Sequence, residues 1–283
     1  MKAIALVVNP DRPAAAELAV RAAKWCAEQG VAVQVAASER AAVPPGAAEV
    51  DADALAAGAD LIMSLGGDGT MLHTVDIVYP TTVPIVGINA GQLGYLNAFE
   101  ASELETALDR IARGDFDVQQ RSMVECVVET PQHEVRWFGL NEVVLERVDS
   151  GRLVRLEVAI NGAPFTTYAA DGVIVSTPTG STAYSFSVRG PIVSPTGRLL
   201  ALTPVSPHML FDRSLVLAAD ETIELSVIDE CAVALFVDGR PCCELGVGAR
   251  VRCRVADEPI TIVAPREMGF HQILKAKFSL PDR

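Results

Sequence analysis

The chain has 283 residues, half of them hydrophobic and 21% charged, with a formal net charge of −13. That length supplies one to three domains and ample material for a large core. The negative charge argues against nucleic acid and anionic membranes as partners, and no apolar run is long enough to span a bilayer.

The segment Ala3–Val8 is apolar and reads as a first strand, which Asn9-Pro10-Asp11-Arg12-Pro13 ends at once. It is too short for the core of a signal peptide. The six cysteines show no paired C-x-x-C spacing. With no export signal they are expected to be reduced thiols of a cytoplasmic protein, a zinc site being the alternative. Pro13–Gln29 has helical spacing, with Leu18, Ala22 and Trp25 on one face, proline at its start and Gly30 at its end. Residues 31–35 alternate like a strand, 43–50 read as a loop, and 51–57 as a short helix. Strands follow at 61–65 and 83–88. Ser102 with Glu105 has the spacing of a capping box before a helix reaching about Arg113.

Strands alternating with helices imply a parallel sheet, whose ligands bind beyond the carboxyl ends of its strands. Two glycine-bearing stretches fall at such ends. One is Gly66-Gly67-Asp68-Gly69-Thr70, between a strand and a helix. Its glycines permit a close backbone approach, and the helix that follows directs unpaired N–H groups at whatever occupies the turn, usually phosphate. Gly66, Gly67, Gly69 and Thr70 are therefore phosphate-binding candidates. A carboxylate beside phosphate suggests phosphoryl transfer to a hydroxyl that Asp68 holds or deprotonates. The alternative is a tight turn with a helix-capping Asp. No Lys follows the glycines, so this is not a P-loop. The other stretch is Asn89-Ala90-Gly91-Gln92-Leu93-Gly94-Tyr95.

Near Gly114 the character changes to short strands separated by turn signals, at 118–129, 133–148, 152–160, 165–169, 172–177, 214–218, 221–228, 232–237, 249–255 and 259–264. Asn161-Gly162 and Asp238-Gly239 are hairpin signals. The expected architecture is an α/β N-terminal domain with a Rossmann-like parallel sheet over 1–115 and an all-β sandwich over 116–265. The remaining segment, 266–283, is apolar enough to dock, the first domain being one place for it. Within the β half, six of the nine residues from Thr177 to Ser185 carry hydroxyls. Such a loop after an apolar strand suits a ribose, amide or phosphate ligand, with Tyr184 as a stacking face, or it is an ordinary polar turn. Asn141-Glu142 interrupts an apolar strand; it either recognises paired hydroxyls or marks the strand turning to solvent.

Taken together, the turn at 66–70, Gly91-Gln92-Leu93-Gly94-Tyr95, Leu140-Asn141-Glu142 and the run from Asp171 through Thr177-Pro178-Thr179-Gly180-Ser181-Thr182-Ala183-Tyr184-Ser185 resemble the NAD kinase family. Pro207-His208 and Asp238-Gly239 also fit, and the likeness covers nearly the whole chain in order. It implies an α/β domain followed by a β-sandwich, ATP (or polyphosphate) as phosphoryl donor, and NAD as acceptor at its adenosine 2′-hydroxyl. It also implies a divalent cation, usually Mg²⁺, and a homodimer or homotetramer with a shared NAD site; metal ligands are not specified.

By position, the resemblance makes Asp68 the catalytic carboxylate and lays Gly69 against the dinucleotide. His73 falls where some relatives carry a basic residue near phosphate. Asn141 and Glu142 would hold the hydroxyls of one ribose. Tyr95, Thr179, Thr182, Ala183 and Tyr184 would line base and ribose pockets, with Ser185 and Ser187 nearby, and Asp171 would contact the second nucleoside. Arg152 and Arg240 match ligand-contacting positions loosely. One departure stands out: the family has a double glycine before Pro191, where this chain has Arg189-Gly190. The competing functions are a lipid kinase, which shares the 66–70 turn but lacks the nucleotide pocket, and a non-catalytic dinucleotide sensor.

Overall fold

A computed structural model describes residues 1–37, 43–91, 94–129, 134–149, 151–264 and 269–280. Gln92 and Leu93 of the second glycine stretch, and the first residues of the C-terminal segment, lie outside the described residues. The chain forms two compact units, Met1–Gln120 with Ile260–Arg283, and Arg121–Pro259.

The first unit is built on one sheet. Its strand order is Ala48–Val50, Ala32–Ala36, Ala3–Val8, Leu61–Gly66, Ile85–Asn89, Ile260–Ala264, Asp117–Arg121, and Phe99–Glu100 also pairs with Ile85–Asn89. Ala3–Val8, Leu61–Gly66 and Ile85–Asn89 pair in parallel and are buried throughout, as expected where helices cover both faces. Pro13–Gln29 packs Leu18, Ala22 and Trp25 into that core and ends at Gly30 in the left-handed conformation. From Ala3–Val8 the chain first runs outward through Ala32–Ala36 to Ala48–Val50. It then returns to the opposite side through Leu61–Gly66 and Ile85–Asn89. The strand order thus reverses between Ala3–Val8 and Leu61–Gly66, and it is at the carboxyl ends beside such a reversal that sheets of this kind bind ligands.

Several expectations need correction here. The stretch 43–50 contains the short strand Ala48–Val50, and 51–57 holds only the 3₁₀ turn Ala52–Ala54. The capping box is made by Glu100 and Glu103, whose carboxylate accepts the Glu100 N–H at 2.9 Å. Glu105 is committed elsewhere, to a fork with Arg21 at 2.8 and 2.6 Å. The strand expected in the sandwich at 259–264 joins the first unit, where Ile260–Ala264 pairs in parallel with Ile85–Asn89. All five of its residues are buried, the pattern of an inner parallel strand and not of a strand with one solvated face. Asp117–Arg121 belongs to the same sheet, so the units part at Gln120 and Arg121 rather than at 115 and 116.

The second unit is two six-stranded antiparallel sheets. One runs Leu215–Ala218, Leu199–Val205, Gly172–Ser176, Glu142–Arg147, Val233–Val237, Arg240–Leu245. The other runs Ala163–Ala170, Val154–Ile160, Ile223–Val227, Arg250–Val255, Val124–Glu129, Glu134–Gly139. Alternate residues such as Val143, Leu145, Val173 and Leu235 from one and Val124, Leu156, Leu225 and Val251 from the other form a single core. The expected strand 133–148 is in fact two strands, one in each sheet, and Leu140-Asn141 is the switch between them. Two strands carry a proline that masks them in sequence. Pro241 lies in the edge strand Arg240–Leu245, and Pro204 lies beyond the Leu199–Leu202 stretch that pairs with Leu215–Ala218, opposite Val173 of the other neighbouring strand. Asn161-Gly162 and Asp238-Gly239 turn with both residues at positive φ, as tight hairpins require. All six cysteines are free.

Candidate active site

In the first unit the Leu61–Gly66 strand passes through Gly67 directly into the Asp68–Val78 helix. Gly66 is obligatory, since a methyl there would lie 2.1 Å from Thr70 Oγ1. The Thr70 hydroxyl accepts a 2.9 Å bond from Asn9 Nδ2, which ties the glycine turn to the loop after Ala3–Val8. Gly69 is exposed, with open space where a side chain would stand.

Asp68 opens the helix without capping it. Its carboxylate reaches a loop 27 to 29 residues further on: Oδ2 accepts the Tyr95 N–H at 2.8 Å, and Oδ1 accepts the Leu96 N–H and Asn97 Nδ2, each at 3.1 Å. These three donors orient the group and leave one of its roughly four lone-pair sites for a ligand hydroxyl. Gly94 makes the approach possible, because a methyl there would lie 1.9 Å from Asp68 Oδ1. The Tyr95 ring lies under the Lys277 ammonium, 3.3 Å from its centroid, so the Phe270–Lys277 helix contributes a cation to this region. Burial holds the Lys277 pKa below its ordinary value, an effect the Asp68 charge partly offsets. Burial and the Asp68 charge together raise that of Tyr95. His73 is exposed on the helix.

Arg12 went unnoticed in the sequence. Its guanidinium occupies the space a side chain would take at Gly91, with Nη1 2.1 Å from an ideal methyl position, and Nη2 is 3.9 Å from that of Gly67. Asn97 was missed as well. Both stand next to strand ends, which is the signal that could have found them.

In the second unit a second cluster forms around the sheet switch. The half-buried Asp238 carboxylate accepts the N–H groups of Leu140, Asn141 and Glu142 at 2.7, 2.8 and 3.0 Å. The Thr177 hydroxyl donates to Leu140 O at 2.5 Å, and Thr177 N–H donates to Asn141 O at 2.8 Å. A methyl at Gly180 would collide with Asn141 O, so the loop at 177–185 lies directly on the Asn141-Glu142 backbone. Glu142 is 6% exposed and its Oε2 has no protein partner. Burial and then the Asp238 charge push its carboxyl up to about 8, against a bond from the Tyr184 N–H.

The hydroxyls of this loop serve mainly to fold it. Ser181 bridges Pro178 O and the Val193 N–H, Thr182 donates to Thr179 O, and the fully buried Ser185 faces Thr203 at 3.4 Å. Tyr184 and Asp171 do meet, as lining of one cavity of about 320 Å³ together with Glu146, Arg147, Val148 and Val205. Arg147 Nε pairs with Asp171 Oδ1 at 2.8 Å. Thr179 is buried, Ala183 half-buried, and Ser187, Arg152 and Arg240 are exposed. Arg189 takes a left-handed φ of +66°, a conformation that favours glycine.

Sequence profiles of the ATP-NAD kinase N-terminal and C-terminal domains match residues 4–116 and 140–264. The chain is 39% identical to the NAD kinase of Heliobacterium modesticaldum over 98% of each chain, and 32% identical to that of Wolinella succinogenes over 99% of this chain and 96% of the relative. Yeast NADH kinase, solved with NADH, superimposes with a TM-score of 0.91 at 27% identity, covering 100% of this chain and 89% of its own. The NAD kinase of Archaeoglobus fulgidus, solved with ATP, shares the fold with a TM-score of 0.78 at 21% identity, over 99% and 100%. The chain belongs to the ATP-NAD kinase family.

Proposed function

We propose that Asp68 orients and deprotonates the 2′-hydroxyl of the NAD adenosine ribose while the glycine turn receives the triphosphate of ATP. The enzyme phosphorylates NAD to NADP with ATP. In the step, the 2′-oxygen bonds to the γ-phosphorus, the bridge to the β-phosphate breaks, the hydroxyl proton passes to the Asp68 carboxylate, and ADP leaves. One observation carries this assignment: a carboxylate fixed by three N–H donors at the start of a glycine-led helix. An acidic residue in a helix's first turn is ordinary, but helix stability does not require three donors that aim its carboxylate at the 95–97 loop, an arrangement that suits phosphoryl transfer to a hydroxyl.

Asn141 and Glu142 hold ribose hydroxyls, supported by the Glu142 Oε2, which has no protein partner, and by Asp238 behind them. Tyr184 gives a base its stacking face. Among the described residues no group of three His, Cys, Asp or Glu side chains could hold a metal ion. A divalent cation, Mg²⁺ in this reading, would be carried on the ATP phosphates and water, where it would neutralise charge on the transferring group. We further read the protein as a cytoplasmic homodimer or homotetramer with a shared NAD site. An active preparation with a light-scattering mass near one chain would contradict the assembly, and activity confined to an extracellular fraction would contradict the location. Incubation with ATP, Mg²⁺ and NAD tests the whole: NADP should form, and its absence with a folded protein would overturn the assignment.

A further inference from the structure

We propose that Arg12 is a contact for the donor phosphates, which rests on the assignment of the glycine turn to ATP. Arg12 is the N-cap residue of the Pro13–Gln29 helix, in extended conformation and with no side-chain capping bond. Nothing about that helix favours arginine there. N-caps prefer Ser, Thr, Asp or Asn, and a cation at the positive end of a helix dipole is unfavourable. A residue that works against its own element is where a functional demand is expected.

Its surroundings supply that demand. The loops at the carboxyl ends of three adjacent strands converge on the guanidinium: its own loop after Ala3–Val8, Gly67 after Leu61–Gly66, and Gly91 after Ile85–Asn89. Ala3–Val8 and Leu61–Gly66 flank the point where strand order reverses, the place at which such sheets bind ligands. The loop is anchored there by the Asn9 side chain, which holds both Thr70 Oγ1 and the Asp11 N–H, each at 2.9 Å. Gly91 leaves the guanidinium its space. Among the described residues no carboxylate pairs with Arg12, and the side chain is exposed. In a chain of net charge −13, a triphosphate needs a local cation to approach, and a planar guanidinium engages phosphate oxygens two at a time.

The test is steady-state kinetics with ATP and NAD varied in turn for Arg12→Ala, Arg12→Lys and Gly91→Ala, with thermal melts alongside. In Arg12→Ala the KM for ATP should rise about tenfold or more while that for NAD stays within about twofold and the melt is unchanged. Arg12→Lys should fall between, keeping the charge and losing the fork. Gly91→Ala, which pushes the guanidinium aside, should follow Arg12→Ala. A KM for ATP within about twofold of wild type in Arg12→Ala, or equal rises for ATP and NAD, would overturn the proposal. Failure of the underlying assignment reads differently: Gly67→Ala, whose methyl meets only the Arg12 guanidinium at 3.9 Å, would also leave the KM for ATP at the wild-type value.

Discussion

Asp68 and Gly94 are matched: a single methyl on Gly94 would lie 1.9 Å from Asp68 Oδ1. The carboxylate is therefore placed by the absence of a side chain as much as by the three donors at Tyr95, Leu96 and Asn97. Gly94→Ala should shift the carboxylate without unfolding the unit. Misplacing a catalytic group by about 1 Å costs up to about a hundredfold, so turnover should fall about tenfold to a hundredfold. Measured kcat near the wild-type value would show that the position of the carboxylate does not matter.

Tyr184 lines the 320 Å³ cavity and also packs on Val144, Ile174 and Val205. Stacking of a base on an aromatic ring is worth about 1–3 kcal/mol, so Tyr184→Ala should weaken NAD binding about tenfold. Tyr184→Phe keeps the ring and should bind NAD like wild type. Calorimetry at a temperature where both variants are folded separates affinity from lost packing. Unchanged affinity in the Ala variant would remove Tyr184 from the NAD site.

Glu142 makes the stability of the second unit depend on pH. Its carboxyl titrates at about 8 in the folded protein, against an ordinary value of 4.5. Between these values the folded state holds a proton that the unfolded state has released. The stability is therefore fully present below the lower value and is lost as pH rises through the upper one. Glu142→Gln stays neutral throughout and mimics the protonated acid. Its melting temperature should gain on wild type as the buffer moves from about pH 4.5 to about pH 8.5, which scanning fluorimetry can follow. A gap that does not change with pH would mean that Glu142 is ionised in the folded state.

Much of the architecture could be read from the residues because it is local. Apolar runs such as Ala3–Val8, the glycine turn and the two positive-φ hairpins each carry their own signal. What could not be read depends on distant partners. Ile260–Ala264 looks like any short strand, and only pairing with Ile85–Asn89 assigns it to the first unit. Asp238-Gly239 announces a hairpin, but nothing local says that Asp238 will hold Leu140 to Glu142 about a hundred residues upstream. The hydroxyls of 177–185 drew attention to the loop by composition, but most of them bond within the protein, which composition does not tell. Arg12 escaped because its meaning lies in Gly67 and Gly91, which no spacing rule links to it.

The most direct measurement is steady-state turnover of Asp68→Asn, with a thermal melt to show folding and calorimetry to show NAD binding. Asparagine keeps the size but removes the base and the charge, and its amide end turns a donor toward N–H groups that need an acceptor. Turnover should fall by about two to four orders of magnitude, the usual share of a positioned general base, while NAD affinity falls much less. A folded Asp68→Asn enzyme that keeps more than about a tenth of wild-type turnover would contradict the account and leave the glycine turn as a phosphate cradle alone.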